Sequence, residues 1–352
     1  MKKKILIMFL LCCVAIGTLY ALNLASNAPN RVANGFERKF LPIEATIAHQ
    51  LEFTTAVREL AGRHGDSLFL VTGEAGKIYI TDVTLRKPTT ILLDDPKIEN
   101  IVPRFYTTVR YPEVYIFGGN ATSYAVGDLR NKKTSKHKLN LNGLFNNPIL
   151  MDDHIIMQIT DNNSRSARFG IVGLNGEILT KENNLSKGSA DAGFVYSGIL
   201  KYDPVGNRMV YVHFFDNNFD VFTPELELLY SGHTRDTTYT NPNKIVINGK
   251  SVSYASPPIR INSYSAVHNG YLYVTSMLLA DNEDRKEFYK HTVLDQYNLD
   301  DGSYVGSFYL PNIDKQVITQ YYFLSELKIL ALSEKNVVII DISKKNFAKP
   351  NA

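Results

Sequence analysis

A group of oxygen-bearing side chains between residues 216 and 227 has the spacing of a calcium-binding loop. These residues match positions 1, 3, 5 and 12 of such a loop: Asp216, Asn218, Asp220 and Glu227. The sixth position of the loop needs glycine for a sharp turn, but Val221 stands there, and Pro224 stiffens the segment. We therefore predict a turn from Asp216 to Asn218 and a strand from Asp220, rather than a calcium site.

The chain contains eight histidines, whose imidazoles are the next candidates for metal binding or proton transfer: His49, His64, His137, His154, His213, His233, His268 and His291. None lies in a His-x-His or His-Glu-x-x-His pattern, the spacings with which neighbouring histidines bind one metal ion. His213 is the most conspicuous, because it ends an apolar strand next to Phe214 and Phe215. We predict a core histidine with one hydrogen bond at this position.

Of two further catalytic signatures, one is incomplete in this sequence and the other is absent. The run Gly73–Lys77 (GEAGK) lacks the four-residue gap of a phosphate-binding loop and the Ser or Thr after its lysine. A Gly-x-Ser-x-Gly elbow, which presents the nucleophile of many hydrolases, is absent from the sequence. We therefore predict no catalytic residues, no metal and no cofactor. These incomplete motifs do not decide whether the protein is an enzyme, but they favour one that is not.

The elements that would position any site are short strands. In Ser265–Pro311, strands Tyr271–Met277, Thr292–Leu299 and Ser303–Leu310 are separated by polar turns, which is typical of an antiparallel meander. Strands similar to the first of these recur along the chain at Ser67–Thr72, Glu113–Phe117, His154–Ile159, Arg208–His213 and Leu327–Leu332. The units repeat at roughly 40 to 60 residues, the length of four-stranded propeller blades. We predict an all-β fold, a six-bladed β-propeller preceded by an N-terminal apolar helix.

The two ends of the propeller should meet in one blade. The sixth unit lacks an outer strand after Ile342, and Glu44–Phe53 is a strand without a unit of its own. Pairing this strand with the sixth unit closes the ring and leaves no long strand edge unpaired. The insertion His233–Pro258 contains a hairpin signal around Asn248-Gly249-Lys250, and the hairpin either extends a blade or leans over one mouth of the ring. The charged run Asp281–Lys286, in the loop Ala280–His291, is typical of a solvated loop, and the alternative is a contact for a partner at the rim.

Innermost strands provide the best candidates for ligand contact, because they line the axial channel and their starts surround one mouth. One such strand is predicted upstream of each unit: Thr55–Leu60, Arg104–Val109, Pro148–Met151, Phe194–Lys201, Ile261–Val267 and Val317–Phe323. The candidate binding residues on or beside them are polar or amphipathic: Arg58, Arg104, Asn262, Tyr264 and Gln320. Arginine and tyrosine side chains can clamp an anionic or planar ligand, or they can fill the channel with hydrogen bonds and water.

The N-terminal segment carries an export signal. Lys2, Lys3 and Lys4 precede an apolar run from residue 5 to residue 25, which places the N-terminus in the cytoplasm and exports the remainder of the chain. The run is either a signal peptide cleaved between residues 21 and 28 or a retained membrane anchor of about 20 residues. We predict residues 1–26 as this segment, 27–43 as a spacer, 44–345 as the propeller and 346–352 as a polar tail.

The amino-acid composition argues against one class of repeat and one class of partner, and it bears on the compartment. Tryptophan is absent, which argues against WD-type repeats. The formal charge of +3 equals the contribution of the three N-terminal lysines, so the folded part is near neutrality and nucleic acid is not an expected partner. Both cysteines, Cys12 and Cys13, lie in the apolar run, and a propeller without cysteine suits an oxidising compartment.

The strand and turn pattern resembles that of exported bacterial propellers of the TolB-like type. The resemblance rests on Leu272–Ser276 and Leu294–Gly302, and the shorter segment Val338–Asp341 has the same pattern. It covers most of the chain after residue 44. It implies an extracytoplasmic (periplasmic) binding or protein-interaction module, either tethered to the inner membrane or secreted, with a protein or small-molecule partner at a propeller mouth. Some related propellers are lactonases or streptogramin lyases, so the alternative function is a metal-assisted hydrolase or lyase with its site in the axial channel.

Overall fold

The structure of the protein is a computed structural model that describes residues 2–26, 33–94, 105–119, 123–183, 191, 193–238, 245–248 and 251–344. The chain forms two compact units, residues 1–34 and residues 35–352. The first contains one helix, α1 (Lys2–Ser26). Among the described residues, no helix has both the length and the apolar character that crossing a membrane requires.

The second unit is a six-bladed β-propeller, as predicted from the sequence. Each blade is a four-stranded antiparallel sheet. The strands that precede and form the first three blades are β1 (Ile43–Glu52), β2 (Glu59–His64), β3 (Ser67–Val71), β4 (Lys77–Thr81), β5 (Thr89–Leu92), β6 (Phe105–Arg110), β7 (Glu113–Gly118), β8 (Ser123–Asp128), β9 (Thr134–Lys138), β10 (Gly143–Leu150), β11 (His154–Asp161), β12 (Ala167–Gly173) and β13 (Ile178–Asn183).

The remaining elements form blades four to six, an inserted hairpin and a short helix. They are β14 (Gly198–Asp203), β15 (Arg208–His213), β16 (Asn218–Phe222), β17 (Leu228–His233), β18 (Ile245–Asn248), β19 (Ser251–Tyr254), β20 (Asn262–His268), β21 (Tyr271–Ser276), α2 (Arg285–Lys290), β22 (His291–Asn298), β23 (Tyr304–Pro311), β24 (Gln320–Ser325), β25 (Lys328–Ser333) and β26 (Asn336–Lys344). In blades one to five the strands follow chain order from the axis outwards.

Strand β1 closes the ring, which confirms the prediction from the incomplete sixth unit. The sixth blade has the order β24, β25, β26, β1, so its outermost strand comes from the beginning of the propeller. The pairing is antiparallel and runs from Ile43 opposite Lys344 to Glu52 opposite Asn336. The last strand therefore has no free edge, and the two ends of the propeller are held in one sheet.

The core consists of apolar clusters between neighbouring blades. In each cluster the face of one sheet packs on the face of the next, and the cluster of Leu68, Leu70, Leu330 and Val337 joins blade six to blade one. Because each second strand lies between two neighbouring blades, both of its faces are buried. All six residues of β15 are buried, for example. Such strands are apolar almost throughout rather than alternating.

At one position of blade one, two neighbouring innermost strands approach so closely near the axis that glycine is required. Gly62 lies on β2, and a Cβ atom built there would lie 2.4 Å from the carbonyl oxygen of Val109 on β6. That oxygen belongs to the backbone of the neighbouring innermost strand, so it cannot move aside as a flexible side chain would. The missing side chain thus permits the two strands to pack closely.

Residues 35–41, here called the N-terminal strap, run along blade five within the range predicted as a spacer. The backbone N–H of Leu41 donates to the Ser307 carbonyl, and the Ser307 N–H donates to the Lys39 carbonyl, each at 2.8 Å. Arg38 is buried under the strap, where its guanidinium contacts Glu283 at 2.5 Å and Asp295 at 2.9 Å. All three side chains are at most 3% exposed.

The loop that carries Glu283 is therefore only partly a solvated loop. Glu283 lies inside the predicted charged run Ala280–His291, but it is buried, and Tyr309 donates a hydrogen bond of 2.6 Å to its second oxygen. The next residue, Asp284, caps α2 by accepting the backbone N–H groups of Lys286 and Glu287. The burial of Glu283 attaches this loop to the strap and fixes its course.

Candidate functional site

The axial channel opens at one end into a cavity of about 580 Å³. Residues in the first half of each innermost strand, or just before the strand, line it, so every blade contributes: Glu59, Tyr106, Asn146, Ile199, Arg260 and Gln320. The volume lies within the range of about 300–1,000 Å³ that is typical of small-molecule sites. The propeller fold produces this arrangement, because strands that radiate from one axis bring their starts together at one mouth.

Two of the five predicted binding residues line this cavity. Arg58 lies with its guanidinium 4.8 Å from the centre of the Phe105 ring. Gln320 donates from Nε2 to the Arg58 carbonyl oxygen at 2.6 Å and accepts the Tyr322 hydroxyl at 2.6 Å. Gln320 therefore joins blade six to blade one, and its side chain is already engaged at both ends.

The other predicted residues lie elsewhere or outside the described residues. Asn262 is only 1% exposed, and its Nδ2 donates to the carbonyl oxygens of His213 at 2.9 Å and Asp216 at 3.2 Å. Tyr264 is buried, and its hydroxyl accepts a hydrogen bond of 3.0 Å from Lys201 Nζ. Neither belongs to the cavity lining. Arg104 lies outside the described residues.

The cavity contains a carboxylate that sequence reasoning missed, Glu59. Its Oε1 accepts the backbone N–H of Thr107 at 2.7 Å. Protein atoms surround this side chain closely although part of its surface faces the cavity, and the loss of hydration raises the pKa of Glu59 to about 7. The Thr107 hydrogen bond and the charges of Lys201 and Arg58 oppose this rise without cancelling it. Glu59 thus changes its protonation near neutral pH.

Aromatic side chains form one wall of the cavity. The Tyr254 ring contacts the Phe194 ring edge-on at 5.1 Å between centroids and the Phe215 ring at 5.4 Å. The Tyr254 hydroxyl donates to the Phe194 carbonyl oxygen at 2.9 Å. Tyr254 is the last residue of β19, so the inserted hairpin contributes to the mouth of the channel. Of the two positions that the sequence left open for this hairpin, the structure shows the one over the mouth.

An arginine at the same mouth is held in place by backbone groups. Arg260 donates from Nε to the Asn262 carbonyl at 3.1 Å and from Nη2 to the Ser263 carbonyl at 2.9 Å. Its guanidinium lies 4.0 Å from the centre of the Phe214 ring. Burial lowers the pKa of Arg260 from its ordinary value, but an arginine remains charged at any physiological pH. The cavity therefore offers an oriented positive charge beside an aromatic surface.

The groups considered for metal binding make contacts with one another and with neighbouring polar groups of the fold. His213 is a buried histidine with Nε2 3.0 Å from Asp220 Oδ2, as predicted. The other oxygen of Asp220 accepts a hydrogen bond from Ser231, and Asp216 accepts one from the backbone N–H of Asn218. Within the described ranges, no group of three or more His, Cys, Asp or Glu side chains is arranged to hold a metal ion. The convergence that a metal-assisted hydrolase or lyase requires is not found there.

Comparisons with known proteins show the fold. A DUF4221 family member from Bacteroides vulgatus is 12% identical with a TM-score of 0.51, covering 87% of this chain and 100% of its own. Virginiamycin B lyase from Staphylococcus aureus is 11% identical with a TM-score of 0.50, covering 85% and 99%. A streptogramin B lyase is 9% identical with a TM-score of 0.50, covering 86% and 98%.

No protein-family model matches the sequence, and no curated protein matches it. At 9–12% identity, the three structural similarities establish a shared six-bladed architecture and nothing about chemistry. The TolB-like type and the export that the sequence suggested stay predictions.

Proposed function

We propose that this protein is an exported six-bladed propeller that binds a small organic molecule in the cavity at one end of its axial channel. The observation that carries the proposal is the cavity itself, about 580 Å³ in volume and lined from all six blades. It combines an aromatic wall with a few oriented polar groups, which is the composition of sites that bind small molecules. The hairpin β18–β19 adds Tyr254 to this wall.

A small molecule is a better fit to the structure than a protein partner on the loop Ala280–His291. Glu283 anchors that loop to the strap through its buried contact with Arg38. The surface around this anchor serves the stability of blade five, whereas the groups around the cavity converge on an open space.

The test is a screen of the purified protein against a library of small organic acids, amines and neutral compounds, read by the melting temperature. Asn146 lines the cavity, and Asn146→Trp should fill part of it. We expect compounds that stabilise the wild type and leave this variant unchanged. The melting temperature without ligand shows whether the variant folds, and Ser197→Phe, at another lining position, serves as a second filled cavity. A library without hits, or hits that stabilise all three proteins equally, would contradict the proposal.

The proposed location is outside the cytoplasm, and its support comes from the N-terminal sequence. Lys2, Lys3 and Lys4 before an apolar segment are typical of export signals. Alkaline phosphatase fused after Ala352 should be active in cells, because this enzyme needs the oxidising environment outside the cytoplasm to form its disulfides. An inactive phosphatase fusion together with a fluorescent cytoplasmic reporter at the same position would place the propeller inside.

A further inference from the structure

The charges around the cavity are unequal, which bears on the ligand that the proposed function requires. Among the described residues, Arg58 and Arg260 line the cavity, and Lys201 lies farther along β14. The carboxylate that lines the cavity is Glu59. Positive charge therefore exceeds negative charge at this mouth, most strongly when Glu59 is protonated.

A second acid near the cavity does not restore the balance, because the backbone already binds it. Asp191 accepts the N–H of Gly193 at 3.1 Å and the N–H of Val195 at 3.0 Å, one with each carboxylate oxygen. The side chain is buried behind the cavity wall, and Asp191 is not a lining residue. Its charge stabilises the turn that presents Phe194.

Arg260 retains hydrogen-bonding capacity towards the cavity. A guanidinium has five N–H donors. Two of those of Arg260 bind backbone carbonyl oxygens, and these bonds fix the plane of the group. The N–H donors of Nη1 and the second donor of Nη2 have no acceptor among the described residues. A planar oxyanion such as a carboxylate matches this remaining edge, because both oxygens can accept parallel hydrogen bonds.

The surroundings of Arg260 define what the anion should be attached to. Phe194, Phe215 and Tyr254 form an edge-to-face cluster, and aromatic rings of a ligand add favourably to such clusters. We propose that the ligand is a small aromatic carboxylic acid, bound as its carboxylate to Arg260 with its ring against Phe194 and Tyr254. This inference names the ligand class of the binding function proposed above.

The test compares 3-phenylpropionate with 3-phenylpropionamide by titration calorimetry on the full-length protein at pH 6. The two probes share a ring and a chain, but the amide has no charge. We expect the acid to bind at least tenfold more tightly than the amide. The variant Arg260→Gln should lose this preference. Arg63→Gln should keep it, because Arg63 lies on β2 outside the cavity lining, where its guanidinium donates to the backbone carbonyl oxygens of Gly65 and Leu324.

Any other result would overturn the inference about the ligand class. These results differ in what they say about the proposed binding of a small molecule. Equal affinities for acid and amide, or an unchanged preference in Arg260→Gln, would refute a carboxylate ligand while leaving small-molecule binding in place. If neither probe binds, the ligand class is refuted, and the library screen decides the binding function by itself. Melting temperatures of both arginine variants show whether they are folded.

The pH dependence gives a second readout of the same site. The groups that face Glu59 are Arg58 on its own blade, the Thr107 N–H from β6, Lys201 from β14 and Tyr322 from β24. With the pKa of Glu59 at about 7, its protonated fraction falls from about nine-tenths at pH 6 to one-tenth at pH 8.

The ionised Glu59 repels the bound carboxylate, so the affinity of the wild type for 3-phenylpropionate should fall by up to about tenfold between these pH values. Glu59→Gln should bind equally well at both. An affinity that is independent of pH in the wild type, or equally dependent on pH in the variant, would refute the placement of the anion beside Glu59.

Discussion

Replacing Arg38 with methionine should destabilise the propeller by about 3–5 kcal/mol, because it removes one partner from a buried charge network. Arg38 contacts Glu283 and Asp295, and its Nη2 also donates to Ser276 Oγ at 2.6 Å and to the Leu278 carbonyl at 3.0 Å. The two carboxylates would remain without their cation in a site that water does not reach. Methionine keeps most of the apolar length of arginine, so the lost charge should dominate the effect.

The assay is urea unfolding followed by circular dichroism, with Arg130→Met as the matched control. Arg130 pairs with Asp128 at 2.7 Å, but its side chain is 66% exposed, and such pairs contribute little. The control should therefore unfold at the wild-type midpoint. The double variant Arg38→Met with Glu283→Gln should recover part of the loss, because one of the two unpaired charges is gone. If Arg38→Met unfolds at the same midpoint as Arg130→Met, the strap does not stabilise the propeller as described.

The remaining predictions concern the channel and the closure of the ring. Burial raises the pKa of Glu59 from 4.5 to about 7, so the folded protein keeps a proton that the unfolded chain releases, and this group should lower the wild-type stability by about 3 kcal/mol as the pH rises from 4.5 to 7. Glu59→Gln should lack this contribution when unfolding is measured as a function of pH, and an unchanged pH dependence in the variant would contradict the burial of the carboxylate. Gly62→Ala should cost about 1–3 kcal/mol by forcing β2 away from Val109, whereas Gly73→Ala, where a Cβ meets nothing within 4 Å, should be neutral in the same assay. A chain that begins at residue 54 lacks β1 and should expose the edge of β26, so we expect association on size-exclusion chromatography, and a stable monomer with the wild-type melting temperature would refute closure by β1.

The fold was largely predictable from the sequence because the second strand of each blade is apolar and bounded by polar turns. The pattern predicts the strand Arg208–His213 with the bounds that the structure has. The first innermost strand is predicted at Thr55–Leu60 but lies at Glu59–His64. Innermost strands face the channel as well as the core, so they contain polar residues and glycine, and their pattern gives a weaker indication of where they begin.

The sequence predicted where the site lies, at one mouth of the channel, but it predicted only some of the residues that form it. The expectation that strand starts surround one mouth led to Arg58 and Gln320, which line the cavity. Glu59 was missed because a shift of four residues in the start of β2 concealed its position, and Arg260 was missed because it precedes its strand. Tyr254 lines the cavity because the inserted hairpin packs over the mouth. The packing brings together residues that are distant along the chain, so the sequence pattern did not indicate it.

The central claim is that the axial cavity holds a small molecule in the cell. The most direct measurement is mass spectrometry of compounds released by denaturing the wild-type protein and Asn146→Trp, both purified from cell envelopes without added ligand. The proposed function predicts at least one organic compound in near-stoichiometric amount from the wild type and its absence from the variant. The same trace compounds in both preparations, at a small fraction of the protein concentration, would contradict it.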